Sequence, residues 1–292
     1  MTALVERKHL MSSVEMAHFV SHGSFMLEAV VPEEINERAI EVFDAGIPGY
    51  PYGTPLDVAF PAGSFVRELI DLPPVAGAIQ SLVGPRPAID HHAVHVRPPH
   101  GGDAQNMHGD AVLDTRTDAF DMQLMYYPRE VTLEQGGTLS VPGTHLRKIN
   151  QTGIGRYQNL AGQTRLVCPA GTVAFLHHGI WHGGRRNDSD HKRYMFKIRF
   201  NPTVRQLRLW NTDDIDNPQV HKELTTSFGW TSANEGRLEL INRAKLWRFL
   251  TGDETFDIDY YLTREQIRPQ ALAPGATDVR LGAGGHATGW NF

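Results

Sequence analysis

Gly171-Thr-Val-Ala-Phe-Leu-His-His-Gly-Ile-Trp-His-Gly-Gly184 is the stretch that decides the fold and the candidate chemistry of this chain. Its first half is an apolar, strand-forming run, and its second half carries three histidines into a polar, glycine-rich turn. We expect His182 to lie at the mouth of a site, because the two glycines after it let the backbone approach a ligand. His177 and His178 are still within the strand and are expected to be structural or to support the site from behind.

Short β-rich runs continue on both sides of this stretch, and turns rich in Gly, Pro, Asn and Asp separate them. This alternation between Ile89 and Pro202 is typical of two packed β-sheets or a barrel. We therefore predict a mainly β fold with flanking helices. The predicted strands lie at 91–97, 119–127, 137–141, 164–168, 172–178 and 193–200.

The remaining sequence is predicted to flank this β region within one domain of 292 residues. Residues 1–88 would contribute a helix, a short strand, a helix opened by Pro32, a further helix ending at Val83, and a Gly/Pro-rich loop at 46–63 that could be a lid. Residues 89–202 would form the β core with the site. Residues 203–292 would form a helical extension, with a helix near 234–250, and a Gly/Ala-rich tail.

Composition excludes several classes of protein. The net charge of −5 argues against a nucleic-acid partner or an anionic membrane surface. Cys168 is the sole cysteine, so no intramolecular disulfide is possible, and we expect a small buried hydrophobe there. No apolar run is long enough to span a bilayer, and the N-terminus lacks the apolar core of a signal peptide. We expect a cytoplasmic enzyme without a membrane partner.

His108-Gly-Asp110 is the only His-x-Asp motif in the chain. On an extended segment, residues i and i+2 point the same way, so an imidazole and a carboxylate can share a metal. A second histidine from a distant strand would complete a two-histidine, one-carboxylate face with open positions. The motif alone fits equally well a surface turn in which Asp110 caps the following chain. The competing motif His221-Lys222-Glu223 lies in a region predicted to be helical and is interpreted as a solvated face.

Four features together resemble the phytanoyl-CoA dioxygenase family of Fe(II)/2-oxoglutarate-dependent oxygenases. They are His108-Gly-Asp110, the turn Gly136-Gly-Thr-Leu-Ser-Val-Pro-Gly-Thr-His145, the run Ala170-Gly-Thr-Val-Ala-Phe175 before the distal histidine, and His182 followed by Asn187, Ser189 and Arg193. The resemblance covers roughly residues 14–202. It implies a double-stranded β-helix core, also called a jelly roll or cupin-like fold.

The resemblance also implies roles for individual residues. His108, Asp110 and His182 would be the iron ligands. Arg193 would pair with the distal carboxylate of 2-oxoglutarate, as the planar guanidinium suits a carboxylate. The other expected cofactor-binding residues are Thr138, Arg97 and Gln123, and Tyr126 is also expected to face the pocket.

Each of these residues also has an ordinary interpretation, and two positions depart from the family pattern. Arg193 alone fits an exposed strand-edge cation, and Thr138 fits a common strand residue. The family often has Gln between the first two ligands, where this chain has Gly109, and a hydroxyl residue where this chain has Gly184. One cosubstrate contact is therefore expected to come from elsewhere.

The implied function is an Fe(II)/2-oxoglutarate-dependent dioxygenase that hydroxylates or otherwise oxidises a small organic metabolite or natural-product intermediate and releases succinate and CO2. The expected cofactors are Fe(II) and 2-oxoglutarate, and the expected partners are the small-molecule substrate and O2, with a homodimer left open. Asp110 favours oxygenation over halogenation, since related halogenases lack this carboxylate. Two alternatives remain: a cupin-like zinc or manganese hydrolase or isomerase, and a non-catalytic metal-binding jelly-roll protein.

Overall fold

The structure is a computed structural model that describes residues 5–51, 53–110, 116–147, 159–229 and 233–258. Its α-helices are α1 Ser13–His22, α2 Glu33–Ala45, α3 Leu56–Ala59, α4 Phe65–Asp71, α5 Pro73–Val83, α6 Pro218–Leu224 and α7 Ala233–Thr251, preceded by a 3-10 turn at Arg7–His9. Its strands are β1 Ser24–Leu27, β2 Ala88–Arg97, β3 Met122–Tyr127, β4 Thr138–Val141, β5 Thr164–Leu166, β6 Thr172–His177, β7 Trp181–Gly184 and β8 Arg193–Asn201.

The strands form two antiparallel sheets. The larger sheet has the order β1-β6-β3-β8-β2, and the smaller sheet has the order β5-β4-β7. From β5 to β8 the chain alternates between the sheets, so that β6 and β8 lie in the larger sheet and β5 and β7 in the smaller one. The predicted fold class, mainly β with flanking helices around a jelly-roll core, is confirmed.

The outer face of the larger sheet packs against the helices. Because side chains alternate along a strand, Leu124, Phe196 and Ile198 point outward and join one hydrophobic core with residues of α1, α2, α4 and α5. The aromatic ring of Phe43 on α2 lies 5.9 Å from that of Phe196. This helical layer leaves the opposite, inner face of the sheet free to form the site.

The inner face of the larger sheet carries a second, smaller apolar cluster. Met125 and Tyr127 on β3 pack there with Leu176 on β6 and with Cys168. Burial raises the pKa of the Cys168 thiol to about 11, so it stays protonated at neutral pH and is a poor nucleophile. Cys168 is thus a buried apolar residue, as expected.

Tyr126 does not face the pocket, which corrects the prediction made for it. Its side chain points into the helical layer, where the hydroxyl donates to Asn36 Oδ1 at 2.6 Å and the ring contacts Phe43. The physical reason is the two-residue period of a strand: Gln123 and Tyr126 are three positions apart and therefore lie on opposite faces of β3.

Several element boundaries differ from the predicted ones. The run at 171–184 forms two strands in different sheets, because residues 178–180 turn the chain between β6 and β7. Within the predicted loop at 46–63 lies the short helix α3, and α4 follows it unpredicted. None of the described helices has the length and hydropathy needed to cross a membrane.

The predicted division of the chain into one domain with an N-terminal part, a core and a C-terminal extension stays a prediction. Helix α7 agrees with the helix expected near 234–250. Tyr52 in the lid loop and the predicted tail lie outside the described residues.

Candidate metal centre

His108, Asp110 and His182 come together at the edge of the smaller sheet. The Nε2 atoms of His108 and His182 lie 3.7 Å and 4.0 Å from the same carboxylate oxygen, Asp110 Oδ1. Donor atoms on one face of a bound transition metal lie roughly 3–3.5 Å apart, so the three atoms need to close by only about 1 Å. The predicted triad therefore has the arrangement of a facial metal site.

Backbone carbonyls fix the orientation of both imidazoles. His108 Nδ1 lies 2.7 Å from the carbonyl oxygen of Asn106, and His182 Nδ1 lies 3.0 Å from that of Ile180. A carbonyl can only accept, so each Nδ1 carries the proton and each Nε2 keeps its lone pair. Metal-binding histidines commonly show this pattern, since the second hydrogen bond sets both tautomer and ring orientation. The residues present thus fit a transition-metal ion.

The histidine and the carboxylate are held in the protonation states that a metal needs. Burial lowers the pKa of His182, which keeps the imidazole neutral. Burial alone would raise the pKa of Asp110, but electrostatic interactions with His182, Lys197 and other nearby groups outweigh it and lower the pKa overall. The two oxygens of Asp110 have different partners: Oδ1 faces the imidazoles, and Oδ2 lies 3.4 Å from Lys197 Nζ.

A backbone bridge sets the distance between the two histidines. His108 N–H donates to His182 O at 2.9 Å, and His182 N–H donates to His108 O at 2.7 Å. The segment before Asp110 therefore runs as a further strand-like edge beside β7. Gly183 permits this approach, because a Cβ there would lie 3.2 Å from the backbone oxygens of both Gln105 and Asn106. Gly183 thus allows close approach of the protein's own backbone, whereas the sequence analysis expected it to allow the approach of a ligand.

A cleft opens from the metal centre onto the inner face of the larger sheet. Arg193, Arg97 and Thr138 line this cleft together with His108 and His182. Three of the four expected cofactor-binding residues are thus brought to the predicted metal ligands. Their roles stay predictions.

Arg193 is a buried cation that is held by backbone carbonyls. Its guanidinium donates to the carbonyl oxygens of Gln135, of Gly137 at 3.2 Å and of Arg185 at 3.0 Å. Burial, reinforced by the nearby Arg97, lowers its pKa to about 10, so it remains charged at neutral pH. No carboxylate forms an ion pair with Arg193 within the described parts of the chain, and its side chain is not the exposed strand-edge cation of the ordinary interpretation.

Arg97 lies beside Gly184, the position at which the family often has a hydroxyl residue. A Cβ on Gly184 would lie 3.1 Å from Arg97 Nη2 and 2.9 Å from Gln105 Oε1. Arg97 is anchored by a hydrogen bond from Nη1 to the carbonyl oxygen of Asp103 at 2.6 Å. The space that a hydroxyl residue often occupies in the resembling family is therefore taken here by a guanidinium and an amide.

Gln123 is the fourth expected cofactor-binding residue, and it does not line the described cleft. It lies on the inner face of β3, two positions before the cleft residue Met125, and is 1% exposed. Neither atom of its amide has a hydrogen-bond partner among the described residues. Its predicted role is not tested by this geometry.

Sequence reasoning missed several residues of the cleft. They are His95, Gln105, Met125, Met195 and Lys197. The two-residue period of strands was the signal that could have found most of them. Once Arg193 is placed on the inner face of β8, Met195 and Lys197 follow it on that face, and Arg97 likewise implies His95 on β2.

The other histidines that the sequence singled out are structural. His177 is buried between Phe19 and Phe120, and burial lowers its pKa far below the usual value. His145, in the turn after β4, lies with Nε2 3.0 Å from the carbonyl oxygen of Val20. The contacts of His177 agree with the structural role expected for it.

Two further expectations are changed by the contacts. Tyr50 of the proposed lid packs against Phe60 and His92 on the outer side of the larger sheet, and no described residue of that loop lines the cleft. The motif at 221–223 is helical as predicted, but it is not wholly solvated, because Glu223 forms an ion pair with His18 at 3.1 Å.

The comparisons with known proteins agree with this fold. The family model described as phytanoyl-CoA dioxygenase (PhyH) matches residues 55–195, which include the triad and Arg193. This match covers just under half of the chain, and the resemblance seen in the sequence is confirmed over it. A search of curated proteins gives no match.

Solved structures of similar fold include HygX and SnoK. HygX from Streptomyces hygroscopicus with nickel and 2-oxoglutarate bound is 16% identical, with a TM-score of 0.51 over 70% of this chain and 92% of that chain. The non-heme alpha-ketoglutarate-dependent carbocyclase SnoK from nogalamycin biosynthesis is also 16% identical, with a TM-score of 0.50 over 66% of this chain and 88% of that chain. HygX also has a structure with iron bound, at a TM-score of 0.53. At these identities the likeness establishes the shared fold.

Proposed function

We propose that this protein is an Fe(II)/2-oxoglutarate-dependent dioxygenase whose iron is bound by His108, Asp110 and His182. The observation that carries the proposal is the pairing of two features in one cleft. One feature is the set of two free Nε2 atoms and one carboxylate oxygen, and the other is the buried Arg193, which has no carboxylate partner among the described residues. A metal site alone fits many enzymes, whereas a metal site beside an unpaired buried guanidinium fits an anionic cosubstrate.

The chain's own residues account for binding and orientation. His108 and His182 present Nε2 to the metal because their Nδ1 protons are held by carbonyls. Lys197 holds Asp110 Oδ2 and so leaves Oδ1 as the oxygen that faces the metal. This single-oxygen contact keeps coordination positions open for the cosubstrate and O2.

The cosubstrate is proposed to lie between the metal and Arg193. The guanidinium of Arg193 would receive its distal carboxylate, with Thr138 beside it and Arg97 as the contact that replaces the missing hydroxyl at Gly184. The apolar side chains of Met125 and Met195 line the same cleft and limit access of water, which strengthens charge–charge interactions there. Gln123 is proposed as a further contact on the same inner face.

When bound, Fe(II) and 2-oxoglutarate supply the oxidation chemistry: one substrate C–H, O2 and 2-oxoglutarate give C–OH, succinate and CO2. Hydroxylation of a small organic metabolite or natural-product intermediate is the proposed outcome. Two proteins of similar fold are named as a carbocyclase and as an epimerase, so product analysis has to include outcomes other than hydroxylation. Because Asp110 occupies the position that halide takes in related halogenases, chloride is not expected to enter the product.

The first test is anaerobic addition of Fe(II) and 2-oxoglutarate to the metal-free protein. We expect a visible absorption band that requires both, because the metal and the cosubstrate must share one site. The band should be absent in His108→Ala and retained in His177→Ala, a matched histidine outside the site. A wild-type protein that binds the metal but gives no 2-oxoglutarate-dependent band would favour the zinc or manganese hydrolase or isomerase.

The second test is succinate release with a panel of small metabolites under air. A substrate should raise succinate formation above the uncoupled background, and its product should gain one oxygen atom. If the protein binds Fe(II) and 2-oxoglutarate but oxidises no compound of the panel, the site assignment stands and the proposed substrate class is wrong. Absence of metal binding altogether would contradict both the site assignment and the proposed function.

A further inference from the structure

A second cluster of metal-binding side chains lies away from the cleft, between α1 and α6. His18 and His22 are one helical turn apart and therefore share a face of α1, and Glu223 on α6 lies opposite them. One donor atom from each of the three lies within 4.8 Å of the other two, the same criterion that the triad of the candidate metal centre meets. No sequence pattern connects these residues, since Glu223 is about two hundred positions from α1 along the chain.

His22 offers a free nitrogen lone pair, whereas a metal ion would have to displace the proton that His18 Nδ1 donates to the Glu223 carboxylate. His22 Nδ1 lies 3.1 Å from the carbonyl oxygen of His18, so it carries the proton and Nε2 is the free donor atom. His18 Nδ1 lies 3.1 Å from Glu223 Oε2. That separation is close to the ~3.3 Å expected between two ligands of a tetrahedral zinc ion.

The two imidazole rings lie close enough together to bind one ion. The imidazole rings of His18 and His22 stack with centroids 3.8 Å apart and an angle of 14° between their planes. Burial, together with the repulsion from His18, lowers the pKa of His22 to about 4, so its ring is neutral at pH 7. An ion pair between His18 and Glu223 uses one ring and leaves the Nε2 of the other without a hydrogen-bond partner among the described residues.

We propose that His18, His22 and Glu223 form a second divalent-metal site, separate from the cleft and suited to Zn(II). Zinc binds imidazole nitrogen and carboxylate oxygen at four-coordinate sites, and water would complete a set of three protein ligands. The cluster is half-buried rather than enclosed, which gives water access to the fourth position. The donors are already gathered, so little ordering of side chains opposes binding.

The site joins segments that are distant in sequence. Ser21 Oγ donates to the carbonyl oxygen of Glu223 at 2.6 Å, and Gly143 N–H donates to the carbonyl oxygen of His22 at 2.9 Å. The ring of Phe228 meets His22 edge-on at 5.1 Å. A bound ion would therefore fasten α6 and the segment after it to α1 and to the turn that follows β4, and its role is structural.

Metal counting on the full-length, metal-free protein tests this site without an activity measurement. With Zn(II) as the probe, wild type should retain two ions per chain after gel filtration, and Glu223→Gln should retain one. His22→Ala should also retain one, whereas His221→Ala, an exposed histidine on the same helix as Glu223, should retain two. One ion per wild-type chain, or two in Glu223→Gln, would overturn the proposal.

A second set of variants separates this site from the candidate metal centre. Asp110→Ala should retain one ion, and Asp110→Ala combined with Glu223→Gln should retain none. Zinc should raise the melting temperature of Asp110→Ala and leave that of the double variant unchanged, since an ion that binds only the folded state stabilises it. Loss of all zinc in Asp110→Ala alone would contradict the second site while leaving the triad assignment intact.

Discussion

Three backbone carbonyls hold the Arg193 guanidinium in the cleft, and they leave its charge without a partner of opposite sign among the described residues. A buried cation of this kind loses hydration, and an anionic ligand would compensate for that loss. The sequence predicted the cation and its spacing from His182, but it could not show that Arg193 is buried. It also could not show Lys197 beside Asp110, because that contact depends on which strands are neighbours.

Replacement of Arg193 tests its role at the scale of one residue. We expect Arg193→Ala to raise the KM for 2-oxoglutarate by roughly 30-fold or more, since truncating one partner of a buried hydrogen-bonded charge pair costs about 2–5 kcal/mol. The KM of Arg193→Lys for 2-oxoglutarate should lie between those of wild type and Arg193→Ala, because lysine keeps the charge and loses the paired hydrogen-bond geometry. Steady-state kinetics with 2-oxoglutarate as the varied component measure both.

The control for Arg193 is Arg165→Ala, which removes an exposed arginine from β5 and should leave the KM unchanged. Thermal melting of each variant shows whether loss of the three carbonyl contacts has unfolded the protein. An unchanged KM in a folded Arg193→Ala protein would remove this residue from the cosubstrate site.

At the scale of elements, the alternation of side chains along strands was enough to predict the β core. It did not predict which elements lie next to each other. The run at 171–184 was expected to be a strand at 172–178 followed by a polar turn, but the chain turns at 178–180 and then forms a second strand, in the other sheet, that carries His182. Helix α4 was missed because it is short and follows a Gly/Pro-rich loop, so its periodicity is weak. Tertiary packing against α2 and α5 decides such segments more than local propensity does.

Gly77 shows how tightly one helix is packed. A Cβ at Gly77 on α5 would lie 1.8 Å from the carbonyl oxygen of His9 in the N-terminal 3-10 turn. Alanine favours a helix over glycine by about 1 kcal/mol, but overpacking against a backbone atom costs roughly 1–3 kcal/mol. We expect Gly77→Ala to lower the free energy of unfolding, as measured by urea denaturation.

Gly49→Ala is the matched control for Gly77→Ala, since a Cβ at Gly49 meets no heavy atom within 4 Å. It should leave stability unchanged or slightly higher. If Gly77→Ala proved as stable as wild type, the N-terminal turn would have to move away from α5 at little cost.

For the whole molecule, the unusual number of histidines has a consequence for stability against pH. His145 and His177 are almost fully buried, and burial lowers the pKa of His145 to about 3 and that of His177 far below its usual value. The unfolded chain takes up protons on these side chains below about pH 6.5, whereas the folded chain does not. Folding therefore becomes less favourable as the pH falls.

We expect the free energy of unfolding of the metal-free protein to be constant near pH 7.5 and to fall below pH 6.5. The slope contributed by each buried neutral histidine approaches about 1.4 kcal/mol per pH unit. Urea denaturation at pH 7.5, 6 and 5 measures it, and His100→Ala, at an exposed position, should leave the slope unchanged. Equal stability at pH 7.5 and pH 5 would show that these imidazoles are protonated in the folded state.

The backbone segments of His108 and His182 are hydrogen-bonded to each other in both directions. The entropic cost of bringing these two ligands together is therefore met during folding, before a metal ion binds. The two ligands are far apart in the sequence, so bringing them together closes a long loop and costs conformational freedom. Because β-pairing closes that loop during folding, an arriving ion has to immobilise only the side chain of Asp110 and small rotations of two anchored rings. The ion can then exchange with solution without the polypeptide around it unfolding and refolding.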